Sequence, residues 1–326
     1  MKTRSFICAV FMLTMAMVLI PLIVPAQDKY PSRNIDYIIG WGAGGGSDYF
    51  GRVINMPVRK LLKVNVNVVN MPGAAESIAT EHVQRQPADG YTIFGATSEL
   101  STNQLFGRTK FNYKDFTPII RAHVDVGSFQ VAPNQNFKNW TEFMTFAKSS
   151  SRKLRIGGTG AASFDMLVSQ IILDSAGIAD KCTYIPFDSA GEMHASLLGG
   201  HIDAMYEEPG VTVDMITAGK MIPLLVFSDK RLAKFPNTPS AGELKYEIPP
   251  MLWRGILVKK GTPQEIVDLL EKTYTEAMKD PMYVAFEKDR LLDLFPGYLN
   301  SKDWEADLAK EYAAYEKVIT KLGLKK

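Results

Sequence analysis

The stretch that most constrains the fold is residues 35–53, with the sequence IDYIIGWGAGGGSDYFGRV. The apolar segment Ile35–Ile39 predicts a strand, a loop with four glycines follows, and Ser47 with Asp48 is typical of a helix N-terminus. Glycines let the backbone approach a ligand closely, and the first N–H groups of a helix have no partner within it. A strand, a glycine loop and a helix start in this order therefore predict an anion site.

The same pattern returns further along the chain. Leu154–Gly157 predicts a strand, a second glycine loop follows, and Ser163 is placed to cap the next helix. Two such helix N-termini, facing each other across a cleft, would hold one carboxylate between them without an arginine. For either loop alone, a tight turn without a ligand is the alternative. A dinucleotide fingerprint does not fit the first loop, because Ser47 takes the place of the third glycine.

Strand-like and helix-like segments alternate through the first hundred residues and again after Leu154. This alternation predicts an α/β fold in which mostly parallel sheets are flanked by helices. The segment 116–132 is predicted to form one or two strands and to cross between two such units. Ligands of such sheets bind at the carboxyl ends of the strands. Ser301 is expected to cap a last, amphipathic helix that packs on the core.

The N-terminus has the composition of an export signal. Lys2 and Arg4 precede an apolar run, and cleavage is expected after Ala26, with an uncleaved anchor as the alternative. Cleavage would leave 300 residues with 35 basic and 35 acidic side chains, enough for two domains. A net charge of zero without a basic run argues against nucleic acid as a partner.

No pattern in the chain predicts catalysis or metal binding. Cys182 would be the one cysteine of the mature chain, and we expect a buried structural thiol. The four histidines lack metal-ligand spacing, and motifs of hydrolases, metalloproteases and P-loop enzymes are missing from the sequence. Glu207 and Glu208 are adjacent, so on a strand one is expected to face the cleft and the other solvent.

Short motifs in a fixed order identify a family. The motifs are Gly44-Gly45-Gly46-Ser47-Asp48 with Arg52, Asn70-Met71-Pro72-Gly73-Ala74, Asp89-Gly90-Tyr91-Thr92, Gly158-Thr159-Gly160, Pro186-Phe187-Asp188, Leu198–Asp203 and Gly261-Thr262-Pro263. Each is weak alone, but together and in order they are specific. The sequence resembles the Bug-type substrate-binding proteins of tripartite tricarboxylate transporters over nearly the whole mature chain.

The resemblance implies a periplasmic, type-II-like, two-domain binding protein with its ligand cleft between the domains. Domain 1 would comprise residues 27–122 and 248–326, and domain 2 residues 123–247. Backbone N–H groups of both glycine loops would hold a small organic carboxylate for delivery to membrane permease subunits, without catalysis. A monomer without cofactor or metal is expected. The ligand-binding residues carried over by this resemblance are Trp41, Ala43, Gly44, Gly45, Gly46, Ser47, Asp48, Thr97, Ser98, Thr159, Gly160, Ala161, Ala162, Ser163, Phe187, Asp188, Tyr206 and Glu207.

The chemistry of the far end of the cleft leaves the ligand open. Asp188 and Glu207 would make that end acidic and repel an anionic tail. A monocarboxylate, or a ligand with a polar or amino group at that end, therefore fits the sequence at least as well as a tricarboxylate does. An exported hydrolase or sensor domain on the same fold is the alternative function. Asp188 and Glu207 are the acid–base candidates for such a hydrolase. A binding protein that signals to a sensor kinase is a further alternative.

Overall fold

The computed structural model describes residues 29–325, and the predicted signal peptide lies outside them. From Arg33 onward the chain forms one compact unit that contains two sheets. Its strands are β1 (Ile35–Ile39), β2 (Val66–Asn70), β3 (Thr92–Thr97), β4 (Phe116–Asp125), β5 (Ser128–Val131), β6 (Leu154–Thr159), β7 (Cys182–Phe187), β8 (Ala204–Glu207), β9 (Ile222–Val226), β10 (Leu252–Lys259) and β11 (Leu299–Asn300).

Helices cover the sheets, as the alternation of segments predicts. They are α1 (Gly46–Leu62), α2 (Ser77–Arg85), α3 (Glu99–Thr102), α4 (Trp140–Ser149), α5 (Phe164–Ser175), α6 (Ala190–Leu198), α7 (Val213–Thr217), α8 (Gln264–Ala277), α9 (Pro281–Asp289) and α10 (Ser301–Lys321). None of the helices between residues 29 and 325 combines the length and apolar character that a membrane span requires.

The first sheet has the strand order β11-β4-β10-β3-β1-β2, and the second sheet has the order β7-β6-β8-β5-β9. The α/β architecture is confirmed, but both sheets are mixed rather than mostly parallel. β1 runs parallel to β2 and β3, and β6 runs parallel to β7 and β8, since helical crossovers connect strands of one direction. β10 is antiparallel to β3 and β4, and β5 is antiparallel to β8 and β9. These strands lie where the chain passes between the sheets, so no helical crossover fixes their direction.

Each sheet has its own apolar core, and the last helix contributes to both. Trp304 and Leu308 of α10 pack with residues of the first sheet, whereas Tyr315 and Ile319 pack with residues of the second. The predicted amphipathic face of this helix is therefore confirmed. Its N-cap is Asn300 rather than Ser301, because the Asn300 side chain accepts the hydrogen bond from the Asp303 N–H.

Candidate functional site

A cavity of about 40 Å³ lies where the carboxyl ends of β1 and β3 in the first sheet meet those of β6 and β8 in the second. This volume corresponds to about three water molecules. The central cavity is lined by Trp41, Gly42, Gly45, Gly46, Ser47, Thr97, Glu99, Thr159, Asp165, Ala190, Glu207, Glu208, Leu252 and Arg254. The loops meet closely at its edge, since a Cβ atom on Gly42 would lie 2.9 Å from the Ser189 Cβ.

The first glycine loop, residues 42–46, is held in place by Asp48. The Asp48 carboxylate accepts hydrogen bonds from the Gly44 N–H (3.1 Å), from Arg52 Nε (2.9 Å) and from Asn70 Nδ2 (3.0 Å). Asn70 Nδ2 also donates to the Trp41 carbonyl at 2.9 Å. The pKa of Asp48 is lowered, because these hydrogen bonds outweigh the opposing effect of burial. The motif residues Asp48, Arg52 and Asn70 thus fix the loop, and Asp48 does not line the cavity.

The start of α1 differs from its prediction. The N-cap is Gly45, whose backbone is extended (φ −94°, ψ 174°) and which has no side chain to cap the helix. Ser47 therefore lies inside the first turn, and its predicted role as N-cap is wrong. The Ser47 hydroxyl instead accepts a hydrogen bond from Arg254 Nε at 3.3 Å. The N–H groups of Gly46 and Ser47 have no partner within the helix, and both residues line the cavity.

Arg254, on β10, is a charged residue of the site that the sequence analysis missed. Its side chain is buried, and its guanidinium donates to Asp125 Oδ2 at 3.1 Å and to Glu208 Oε2 at 2.8 Å. Burial opposes the charge, but Glu208 and Asp125 outweigh it and raise the pKa of Arg254, so the guanidinium stays protonated. A Cβ atom on Gly46 would lie 2.2 Å from Arg254 Nη2, so glycine at 46 makes room for this arginine.

The start of α5 is occupied by side chains of the protein itself. Ser163 is the N-cap, as predicted, because its hydroxyl accepts from the Met166 N–H at 3.3 Å. The next N–H, that of Phe164, donates to Glu99 Oε1 at 2.8 Å, and Glu99 follows a strand of the first sheet. Burial raises the pKa of Glu99 to about 7. A carboxylate therefore already fills the second of the two predicted anion positions.

Asp165 holds the second glycine loop in place, as Asp48 holds the first. Its Oδ2 accepts hydrogen bonds from the Thr159 N–H at 2.8 Å and from the Thr159 hydroxyl at 2.7 Å. Burial, followed by the charge of Glu208, raises the pKa of Asp165 well above its usual value. Asp165 lines the cavity and was also missed by the sequence analysis.

Glu207 and Glu208 both enter the site, so the prediction that one of them faces solvent is wrong. Both are buried and line the cavity. Strand β8 ends at Glu207, Glu208 lies beyond it, and the chain turns at Pro209 and Gly210, so the alternation of strand faces no longer applies there. Glu207 Oε2 lies 2.7 Å from His194 Nε2, and Glu208 pairs with Arg254.

Asp188, the other predicted acidic residue of the cleft, is exposed and does not line the cavity. Its carboxylate and that of Glu207 therefore do not converge on the central cavity as the acid–base pair of a hydrolase would. Cys182 is buried, as predicted, and burial raises the pKa of its thiol to about 12, which disfavours the nucleophilic thiolate. Among residues 29–325, no group of three or more potential ligands is arranged to hold a metal ion.

The predicted ligand-binding residues divide into two groups. Those that line the central cavity are Trp41, Gly45, Gly46, Ser47, Thr97, Thr159 and Glu207. Those outside its lining are Ala43, Gly44, Asp48, Ser98, Gly160, Ala161, Ala162, Ser163, Phe187, Asp188 and Tyr206. Several of the second group have structural roles instead. The Ser98 hydroxyl accepts from the Trp253 N–H at 3.0 Å, Tyr206 lies in the core of the second sheet, and Ser163 donates to the Gly160 carbonyl at 2.8 Å.

Comparisons with known proteins agree with the resemblance seen in the sequence motifs. Residues 50–324 match the model of the TctC family, described as the tripartite tricarboxylate transporter family receptor. A UPF0065 protein in the gbd 5′ region of Cupriavidus necator is 32% identical over 310 residues, which cover 93% of this chain and 92% of that protein.

Solved structures of this family share the fold. A TctC solute binding protein from Polaromonas, solved without ligand, is 31% identical, with a TM-score of 0.64, over 90% of this chain and 99% of that one. The periplasmic binding protein BugD is 26% identical, with a TM-score of 0.80, over 91% of this chain and 100% of that one. The family resemblance and the two-domain fold class that it implied are thereby confirmed.

Proposed function

The chain belongs to the tripartite tricarboxylate transporter receptor family of solute-binding proteins, and from this premise we propose that it captures a small organic carboxylate in the central cavity. The protein then delivers the carboxylate to the membrane permease subunits of such a transporter. The ligand-binding groups are the N–H groups at the start of α1, the Ser47 hydroxyl and the lining residues around them. The proposal includes no chemical change of the ligand.

One arrangement carries this proposal: an open helix N-terminus and a buried guanidinium lie side by side at the central cavity. Helix N-termini favour anions through their free N–H groups and the helix dipole. Arg254 is held beside Gly46 and Ser47, and a guanidinium is suited to bidentate recognition of a carboxylate. A ligand carboxylate would compete with Glu208 for Arg254 and would accept from the first turn of α1.

Isothermal titration calorimetry of the mature protein against small carboxylates tests the proposal. Binding to the folded state alone also increases the free energy of unfolding, by about 2.7 kcal/mol when the ligand concentration is a hundred times Kd. The melting temperature rises as a result. We expect at least one carboxylate to bind with both signatures. If amines or metal ions bind and no compound with a carboxylate does, the proposed function is wrong.

A pair of glycine variants locates the binding. Gly46→Ala places a Cβ 2.2 Å from Arg254 Nη2, so we expect the arginine to shift and carboxylate affinity to fall at least about tenfold. Gly191→Ala is the matched control, since its Cβ meets nothing nearer than the Ala43 carbonyl at 4.0 Å and Gly191 does not line the cavity. Equal affinities of the two variants would place the carboxylate elsewhere.

Export and domain organisation complete the proposal. We propose that residues 1–26 act as a signal peptide cleaved after Ala26, that the mature protein is a periplasmic monomer, and that its domains are residues 27–122 with 248–326 and residues 123–247. The basic start and apolar run of the N-terminus support cleavage. Intact mass of the exported protein checks the cleavage site, because a mature chain that starts elsewhere than Gln27 contradicts it. Light scattering on a sizing column checks the monomer.

A further inference from the structure

The side chains that line the central cavity include more acidic than basic groups, and this disfavours a ligand with several carboxylates. Four acidic side chains line the cavity, namely Glu99, Asp165, Glu207 and Glu208. One basic side chain, Arg254, lines it too. A ligand with two or three carboxylates would add its charges to this surplus of acidic groups.

Arg254 offers little compensation for a second ligand carboxylate. Its guanidinium already pairs with Glu208 at 2.8 Å and with Asp125 at 3.1 Å. If one ligand carboxylate takes a position on Arg254, the positive charge of the guanidinium is then shared among three anions. No other arginine or lysine lines this cavity among the described residues.

The second glycine loop is not free to take an anion either. The Phe164 N–H at the start of α5 already donates to Glu99 at 2.8 Å, and the Thr159 N–H donates to Asp165 at 2.8 Å. These two donors are therefore not available to a ligand carboxylate. The start of α1 differs, because Gly46 and Ser47 line the cavity there without a carboxylate of the described chain on their N–H groups.

The surroundings of the remaining carboxylates favour a cation or a hydrogen-bond donor. Burial already raises the pKa of Glu99 to about 7 and that of Asp165 well above its usual value. A second ligand anion close by would disfavour their charged forms further, whereas a cationic nitrogen would favour those forms. Asp165, in the first turn of α5, and Glu207, at the end of β8, line the cavity from the side of the second sheet, whereas the α1 start belongs to the first sheet. Glu207 Oε2 also lies 2.7 Å from His194 Nε2, and Glu207 Oε1 accepts from the Glu208 N–H at 3.1 Å.

We propose that the ligand is a zwitterion with a single carboxylate and a cationic nitrogen, such as an amino or amidino acid without a second acidic group. Its carboxylate lies at the start of α1 beside Ser47 and Arg254. Its cationic nitrogen faces Asp165 and Glu207. The inference rests on the proposed function, since it assigns the ligand class of the same cavity.

Calorimetry with ligands of matched chain length tests this inference on the mature protein. At each length from about three to six carbons, four compounds are compared: a dicarboxylate, its half-amide, the unsubstituted monocarboxylate and the ω-amino carboxylate. Neutral α-amino acids extend the set, because they are zwitterions with a single carboxylate. We expect the tightest zwitterion to bind at least about tenfold more tightly than the other compounds of its length, about 1.4 kcal/mol.

The outcomes separate this inference from the proposed function. If a dicarboxylate or a half-amide binds as tightly as the best zwitterion, the inference is overturned while carboxylate capture stands. If no compound with a carboxylate binds, the proposed function fails and the inference fails with it.

A variant pair checks the position of the cationic nitrogen. Asp165→Asn removes the charge but keeps an oxygen that accepts from Thr159, so we expect the preference for the zwitterion over the monocarboxylate to fall about tenfold. Asp188→Asn removes an exposed charge outside the cavity and is expected to leave the preference unchanged. An undiminished preference in Asp165→Asn, with circular dichroism showing an intact fold, would contradict the assigned position.

Discussion

The two glycine loops have the same sequence pattern but begin their helices in different ways. At the first loop, Gly45 is the N-cap without a side chain, and the first turn of α1 lies at the cavity beside Arg254. At the second loop, Ser163 caps α5 and Glu99 accepts from the next N–H group. A pattern that predicts an anion site therefore predicts the chemistry of that site, but not whether the anion is a ligand or a side chain of the protein.

The largest expected effect concerns the arginine that distinguishes the first loop. Arg254→Met leaves the buried carboxylates of Asp125 and Glu208 without their partner, so we expect the free energy of unfolding to fall by about 3–5 kcal/mol. Urea denaturation measures this loss. Arg231→Met is the control, because its ion pair with Glu243 is solvent-exposed and should contribute at most about 1 kcal/mol. A similar small loss for both variants would show that Arg254 is not a structural counter-ion.

The next effect is a pH dependence that arises at the second loop. The pKa of Glu99 is raised from 4.5 to about 7 by burial, so the folded state binds a proton more tightly than the unfolded chain. The stabilisation is therefore fully present below about pH 4.5 and is lost as the pH rises through about 7. For this group alone the loss amounts to about 3 kcal/mol.

Burial also raises the pKa of Glu311 to about 7, so the two groups have to be separated. Urea denaturation between about pH 5 and pH 8 should show a decline in the stability of the natural protein. Glu99→Gln should remove part of this decline and leave the part due to Glu311. An unchanged decline in Glu99→Gln would mean that Glu99 titrates in its ordinary range.

A third variant is designed to make the two loops alike. Glu99→Ala leaves the buried Phe164 N–H without its acceptor and removes one of the two acceptors of the Thr102 hydroxyl, so we expect a loss of about 1–3 kcal/mol in unfolding free energy near pH 5. The vacated helix start then becomes available to a ligand. Near neutral pH, the variant should therefore bind glutarate more tightly than the natural protein does. Unchanged glutarate binding would show that Glu99 does not exclude a second carboxylate.

The smallest effects come from the two serines that the sequence pattern treats as equivalent. Ser163→Ala removes an N-cap and should cost about 1 kcal/mol in unfolding free energy without changing ligand affinity. Ser47→Ala lies inside the helix and should leave stability nearly unchanged, but it removes the acceptor of Arg254 Nε and should weaken ligand binding. Denaturation and calorimetry on both variants check this exchange of roles. If Ser47→Ala lost stability and Ser163→Ala weakened ligand binding, the roles assigned to the two serines would be wrong.

Much of the fold was predictable because it depends on local chemistry. The predicted strand Ile35–Ile39 has the bounds of β1, and the predicted cap Ser163 is confirmed by its hydrogen bond. Apolar periodicity, glycine and capping residues act over a few positions, so a single sequence is enough to recognise them. The mixed sheet direction was missed, because strand direction at β10 depends on the path of the whole chain.

The site was less predictable, because its charges come from distant parts of the chain. Arg254 is 207 positions from Ser47, and Glu99 is 65 positions from Phe164. A signal for Arg254 was present, since it is the one charged residue in the apolar segment 252–258, and buried arginines need partners. The sequence contained no comparable signal for Glu99, which follows a strand as many solvent-exposed residues do.

The hydrogen bond between Glu99 and Phe164 joins the two sheets across the cavity, and this has a consequence for exchange kinetics. An opening that moves the first turn of α5 away from Glu99 breaks this bond, whether or not Glu99 touches the ligand. We therefore expect Glu99 to affect the residence time of a ligand. Among closely related binding variants, most differences in affinity appear in the dissociation rate. We therefore expect the rate of ligand release to depend on the protonation of this single side chain.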